Sequence, residues 1–314
     1  MTPRRILVTG AVGQVGADLT PVLRARFGAE NVVATGHRTL PSEELRGSGP
    51  FETVDVTDKA ALADTIERHG IDTICHLATL LSASGEKHPD VAWSVNIGGL
   101  KNVLDLAVEN ALSQVFWPSS IAVFGPTTPR EMTPQRTVLE PNTMYGVTKL
   151  AGENLCNYYF HRYGLDVRSI RYPGLLSYKT FSGGGTTDYA VEIFFEANRR
   201  GTYRCFVRPD TILPLLYMDE AIHGTMQLME AEAARISVRT SYNMGGLSFS
   251  AEALAREVGK HVAGFTCTFV PDFRQAIADS WPRSVDDSIA RHDWGWKPSI
   301  DLPALTKLML AGAR

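Results

Sequence analysis

The stretch Ile6-Leu-Val-Thr-Gly10-Ala-Val-Gly13-Gln-Val-Gly16 constrains the fold of this chain more than any other. Ile6 to Val8 is a short apolar run rich in β-branched residues, as a buried parallel strand is. The glycines that follow permit a tight turn and a close backbone approach, and a helix should open behind them with Val15, Leu19, Val22 and Leu23 on its inner face. Strand, glycine turn and helix in that order are the context a phosphate-cradling loop requires. The spacing G-x-x-G-x-x-G is one residue longer than the common dinucleotide fingerprint, and on its own it also suits a purely structural turn.

The rhythm continues downstream. Asn31 to Ala34 reads as strand two, Thr53-Val54 as strand three, Ile71 to His76 as strand four, Val115 to Trp117 as strand five and Asp166 to Arg171 as strand six. Between them lie helical patterns: one opening near Thr57 with Leu62, Thr65 and Ile66 inward, one carrying Leu100, Val103, Leu104, Ala107 and Val108, and a long one from Tyr145 to Tyr163. Strands alternating with helices in this way imply an α/β fold with a doubly wound parallel sheet, the Rossmann fold. The expected division is a dinucleotide-binding domain over 1–172, with about 213–235 rejoining it, and a smaller C-terminal lobe drawn mainly from 173–314. In that lobe a helix is expected from Asp188 to Arg200, and Trp294 and Trp296 are assigned to packing.

Composition narrows the function classes. With 31 basic and 34 acidic residues the formal charge is −3, and no basic block stands out, so nucleic acid and membrane surfaces are poor partners. Cys75, Cys156, Cys205 and Cys267 show neither metal spacing nor a disulfide framework, and no metal site is expected. No signal-like segment or spanning helix is read, and the expectation is a reduced, cytoplasmic protein.

The chemistry-bearing residues follow the sheet. Tyr145 and Lys149 are four apart on a helix and share one face. A lysine ammonium beside a phenol favours the phenolate, so Tyr145 is expected to act as a base nearer neutral pH. Ser119 and Ser120 end strand five, at the sheet edge that faces a ligand crevice, where a hydroxyl can hold a substrate oxygen against Tyr145. At the end of strand two stands Thr35-Gly36-His37-Arg38, without the acid that would bind a ribose 2′-hydroxyl. Arg38 either accommodates a 2′-phosphate or is a solvated loop residue, and the residues leave both open. Asp55, closing strand three, is placed for an adenine amino group or for capping the next helix. Gly183-Gly-Gly-Thr-Thr-Asp188 leads into a helix with Thr186 or Thr187 as the N-cap, a terminus suited to a substrate carboxylate or simply to a flexible loop. Trp281 either closes a pocket or packs in the lobe.

Taken together, Gly10-x-x-Gly13-x-x-Gly16, Ser119-Ser120 and Tyr145-x-x-x-Lys149 resemble the extended short-chain dehydrogenases/reductases, the group that contains UDP-galactose 4-epimerase. Asn96 and Trp296-Lys-Pro298 also fit that group. Arg171-Tyr-Pro-Gly-Leu-Leu-Ser177, the stretch from Gly183 to Phe194, Leu213 to Ala221, Pro271 to Gln275 and Ile277 to Pro282 are similar to the epimerase-type L-threonine 3-dehydrogenases, and the resemblance spans essentially the whole chain. It implies NAD-dependent oxidation of L-threonine at its β-carbon. Tyr145 would be the base, Lys149 would lower its pKa and hold the nicotinamide ribose, and Ser120 would orient the hydroxyl with Ser119 as second choice. Ser82, Thr186 and Thr187 would contact the amino acid and Trp281 would shut the site. The dinucleotide would lie against Gly10, Gly13, Gln14, Val15, Gly16, His37, Arg38, Asp55, Val56, Leu77, Ala78, Asn96, Tyr145, Lys149 and Tyr172. The family's usual acid after strand two is missing here, which leaves NAD against NADP open. Kinship also implies a homodimer through the helices about 88–110 and 143–163. A nucleotide-sugar 4-epimerase, which would need basic groups such as Arg204 and Arg208 for a diphosphate, is the alternative, and a cofactor-sensing binding protein without catalysis ranks below it.

Overall fold

A computed structural model describes residues 4–179 and 185–313. Its strands are β1 (Ile6–Thr9), β2 (Val32–Gly36), β3 (Phe51–Thr53), β4 (Thr73–His76), β5 (Gln114–Ser120) and β6 (Val167–Tyr172), followed by β7 (Gly174–Leu176), β8 (Thr202–Cys205), β9 (Ile212–Tyr217), β10 (Tyr242–Asn243), β11 (Leu247–Ser250) and β12 (Thr266–Phe269). Seven of them form a parallel sheet in the order β10-β6-β5-β4-β1-β2-β3. Chain order reverses at β1, between β4 and β2, so the loops after β1 and β4 part there and open a crevice.

Alternation along β1 divides the core into two layers. Ile6 and Val8 pack with Leu19 and Leu23 of the helix Gln14–Phe27 and with Met218, Met226 and Met229 of the helix Met218–Glu230. Leu7 faces the other way, with Leu62 and Ile66 of Lys59–His69, Leu100 and Leu104 of Gly99–Glu109, and Cys156 of Met144–Tyr163. The helix Gln14–Phe27 therefore buries Leu19 and Leu23 as expected, but Val22 is 40% exposed and only Val15 adds a partial contact. The last turn rotates Val22 away from the sheet while Arg24 turns in, donating to the carbonyls of Leu45 and Pro50 at 2.7 Å each.

The segment expected to rejoin the sheet at about 213–235 does so only in part. Its strand, β9, pairs with β7 and antiparallel with β11 in a separate three-stranded sheet. Its helix, Met218–Glu230, returns to cover the main sheet. The edge beside β6 is instead taken by β10. A third core holds the C-terminal lobe together, with Tyr189 and Phe194 of the helix Tyr189–Arg200, Leu213 and Leu215 of β9, Leu254 and Trp281. Trp294 and Trp296 are buried in the core around β1 and pack against each other. The four cysteines carry free thiols.

Candidate active site

A cavity of about 780 Å³ runs along the carboxyl ends of the strands. The loops after β1, β2, β3, β4, β5 and β6 line it, and Tyr145, Lys149, the segment 185–188 and Trp281 complete the wall. Every site residue expected from the sequence borders this cavity except Asn96.

One end is made of backbone. Gly10 has φ +70°, and a Cβ there would stand 2.7 Å from the amide nitrogen of Ala78 after β4. A Cβ on Gly16 would stand 2.5 Å from the carbonyl oxygen of Gly10. The loops after β1 and β4 can thus meet only through glycine. Gly13 precedes the helix Gln14–Phe27 without a side-chain cap, so the first N–H groups of that helix have no intrahelical acceptor. Gln14, Val15 and Gly16 line the cavity with those donors, an arrangement that fits a pyrophosphate. Farther out, His37 Nδ1 lies 3.5 Å from Asp55 Oδ2. Asp55 accepts from the Thr57 amide at 2.9 Å and its hydroxyl at 2.8 Å. Burial opposes the Asp55 charge, but these bonds and the neighbouring His37 and Arg38 outweigh it and lower the carboxyl pKa. Arg38 is exposed at the rim.

The middle of the cavity holds the reactive side chains. The helix Met144–Tyr163 starts at Thr143, whose hydroxyl accepts from the Gly146 amide at 3.1 Å. Gly146 lets that turn press on the Ile121–Val123 turn, since a Cβ would stand 2.2 Å from the Ala122 carbonyl oxygen. Tyr145 is thereby brought to Ser120, which hydrogen-bonds the phenol and whose Oγ also accepts from the Ala122 amide at 3.2 Å. Lys149 donates to the Pro118 carbonyl at 2.7 Å, and its Nζ lies 4.6 Å from the Trp117 ring centroid and 5.6 Å from that of Tyr145. The expectation that Lys149 brings the phenol towards neutral pH is not met by these side chains on their own. Burial pushes the phenol up to about 12, against the Ser120 bond, and pushes Lys149 down to about 7. Desolvation disfavours both charged forms and sets the direction of both shifts.

Other residues take different places from those expected. Asn96 is buried and committed: its Nδ2 donates to the Leu80 carbonyl and Thr148 Oγ1, and its Oδ1 accepts from the Leu80 amide and Thr79 Oγ1. With those bonds made it has no donor or acceptor left for a cofactor, and it shapes the loop after β4 instead. Ser119 borders the cavity, but its hydroxyl donates to Glu153 at 2.7 Å. Neither Thr186 nor Thr187 caps the helix Tyr189–Arg200; the cap position is Asp188, whose carboxylate accepts from the Gly185 amide at 2.6 Å. That bond runs back into the preceding loop, and the Asp188 side chain makes no capping bond to the helix. Gly183 and Gly184 of the expected loop lie outside the described residues. Thr186 is 2% exposed with its hydroxyl unpartnered in the cavity wall, and Thr187 packs on Gly174. Ser82 opens the short helix Ser82–Lys87 and is buried, and Trp281 joins the lobe core to the cavity wall.

A model of the NAD dependent epimerase/dehydratase family matches residues 6–245. The chain belongs to that family. Among solved structures it is similar to the GalE-like L-threonine dehydrogenase of Cupriavidus necator in its holo form, with a TM-score of 0.96 at 48% identity over 99% of this chain and all of that one. A monomeric L-threonine 3-dehydrogenase from a metagenome is 45% identical, with a TM-score of 0.94 over 98% of both chains. An epimerase/dehydratase of Staphylococcus haemolyticus is 47% identical over 307 residues, 98% of this chain and 96% of that protein. A UDP-glucose 4-epimerase of Thermotoga maritima, 20% identical at a TM-score of 0.84, shares the fold alone.

Within this epimerase/dehydratase frame the two arginines suggested for a diphosphate lie elsewhere. Arg208 pairs with Asp279 at 2.8 Å, and neither Arg204 nor Arg208 lines the cavity. Three residues the sequence reading passed over do belong to the site or its support. Asp188 lines the cavity, and an acid directly after Thr186-Thr187 was visible in the sequence. His76 ends β4 with Nδ1 2.7 Å from Thr9 Oγ1 and Nε2 unpartnered; burial, helped by the Lys149 charge, lowers its pKa to about 3. Glu153 follows Lys149 by four residues, a spacing visible in the sequence. Among the described residues, no three His, Cys, Asp or Glu side chains gather to hold a metal ion, and no helix is long and apolar enough to cross a membrane.

Proposed function

We propose that this family member oxidises L-threonine at its β-carbon with NAD, giving 2-amino-3-ketobutyrate, a reaction that opens threonine catabolism. The observation that carries this reading is near-50% identity to an L-threonine dehydrogenase over 99% of the chain, C-terminal lobe included. That lobe furnishes one wall of the cavity. When bound, the oxidised nicotinamide supplies the hydride acceptor and a positive charge. Gly10 to Gly16 would cradle its pyrophosphate, Asp55 would meet the adenine and Lys149 the nicotinamide ribose.

Tyr145 takes the proton from the threonine hydroxyl while Ser120 holds that oxygen against the phenol. Because burial keeps the phenol protonated up to about 12, positive charge close by is needed for Tyr145 to act as a base near neutral pH. Ser82 and Thr186 offer hydroxyls to the amino acid, the unpartnered Thr186 Oγ1 being the clearest invitation. The acidic Asp188 suits the ammonium end of a zwitterion, and Trp281 closes the apolar side. A homodimer is part of the same reading. Val91 and Trp93 on the short helix Pro89–Trp93, and Val147, Tyr158 and Tyr163 on Met144–Tyr163, are all between 39% and 53% exposed, an apolar face suited to a second copy. Free thiols suit a reducing cytoplasm.

NADH absorbance with purified protein, L-threonine and NAD, run beside NADP, tests the reading. Signal with NAD is the expected result. Signal mainly with NADP would keep the reaction and overturn the cofactor, and silence with both would overturn the reaction and turn attention to UDP-sugars. Sedimentation velocity tests the dimer.

A further inference from the structure

A buried ion pair lies one helical turn beyond Lys149. Glu153 and Arg171 are 1% and 2% exposed, and Arg171 Nε and Nη2 donate to the carboxylate oxygens at 2.8 and 2.7 Å. The Ser119 hydroxyl adds a third donor at 2.7 Å. Arg171 completes its own set with the Gln135 carbonyl and Asn243 Oδ1. Three donors thus converge on the carboxylate, two from the guanidinium cation and one from a hydroxyl. A pair this deep is a poor device for stability alone, because well-packed apolar residues often replace it without loss.

Its position offers a better reason. Tyr145, Lys149 and Glu153 stand at successive fourth positions of the helix Met144–Tyr163 and so form one row. Ser119 fastens the same carboxylate to β5, where its neighbours Pro118 and Ser120 meet the Lys149 ammonium and the Tyr145 phenol. An ammonium taken wholly out of water loses its charge unless the protein compensates. The Pro118 carbonyl and the Trp117 ring compensate in part. The titratable groups facing Lys149 are Tyr145, Glu153 and Cys156 from its own helix and His76 from β4. Burial holds the phenol, the Cys156 thiol and the His76 ring neutral, which leaves Glu153 as the negative charge of the group.

We propose that Glu153, gripped by Arg171 and Ser119, is a positioning residue whose carboxylate sustains the charge on Lys149. The inference rests on the roles given above to Tyr145 and Lys149. Its sign does not depend on which of the two holds the shared proton. Removing a negative charge beside a coupled pair favours proton loss from either member, so each macroscopic midpoint moves to lower pH.

The test is an NMR titration of the Lys149 ε-carbon in cofactor-free protein with carbon-labelled lysine, the signal assigned by its absence in Lys149→Met. In Glu153→Gln the midpoint is expected to fall by about one pH unit, and in Glu153→Asp to return towards that of the parent. The limbs of the pH profile of threonine turnover should move the same way. An unchanged Lys149 midpoint in folded Glu153→Gln would overturn the proposal and make the pair purely structural. Where the stranded guanidinium prevents folding, Glu153→Gln with Arg171→Met relieves it, and a smaller acid shift is expected. Failure of the parent to oxidise threonine would sink the proposed reaction and leave the NMR result standing, so the two failures are distinguishable.

Discussion

The two ends of the cavity are built from different materials. At the end bounded by Gly10 to Gly16, recognition is a matter of backbone: exposed N–H groups, a positive φ and approaches that no Cβ would survive. At the other end it is a matter of side chains drawn from distant segments, Ser82, Ser120, Tyr145, Thr186 and Trp281. The first can be written in seven consecutive residues because the helix start carries its own donors. The second exists only when the loops after β4, β5 and β6 and the C-terminal lobe converge. Mutations should divide along the same line, some moving cofactor affinity and others the amino acid.

The largest effect belongs at the junction of the two ends. Tyr145→Phe removes the base and the phenol's bond to Ser120 but touches nothing in the glycine loop. Threonine turnover should fall by about 10²–10⁴-fold with NAD affinity by calorimetry unchanged; full oxidation by this variant would rule Tyr145 out. Next comes Gly16→Ala, aimed at the backbone end alone. The added Cβ meets the Gly10 carbonyl oxygen at 2.5 Å and Ala11 Cα at 2.6 Å, so the turn itself must shift. Overpacking of this kind costs roughly 1–3 kcal/mol and should weaken NAD by about 10- to 100-fold. A cofactor titration unmoved by it would remove the loop from the binding site.

Thr186→Val addresses the side-chain end. Losing one hydrogen bond of about 1 kcal/mol should raise KM for threonine by about 5- to 10-fold while NAD affinity holds. If NAD affinity moved instead, the division between the ends would be wrong. The smallest effect is expected of Arg38→Ala, because an exposed cation contributes little. Use of NAD should change by about twofold or less, and use of NADP should drop further. Equal changes with both cofactors would make Arg38 an ordinary loop residue.

The misread residues were misread for one reason. Asn96 has the right type and neighbourhood for a cofactor contact, but its hydrogen bonds are spent on Thr79, Leu80 and Thr148, which folding brings to it. Ser119 and Ser120 are adjacent in sequence and opposite in role, since alternation along β5 sends one hydroxyl to Glu153 and leaves the other for Tyr145. The Tyr145–Lys149 spacing was legible, but the balance between charge and burial was not, because desolvation depends on everything packed around the pair. The destination of β9 was equally hidden: an apolar strand reads the same whether it joins the large sheet or a small one.

By itself, the sequence determined the parallel doubly wound sheet, the glycine turn at its reversal point and the tyrosine–lysine row, because each depends on period and spacing along a single segment. The tertiary structure alone decided which strand took the sheet edge, which serine faces the phenol, that the Asp188 carboxylate turns back to the Gly185 amide and that Arg171 grips Glu153. Those outcomes turn on burial and on contacts between segments far apart in the chain, and both come into being only when the layers close.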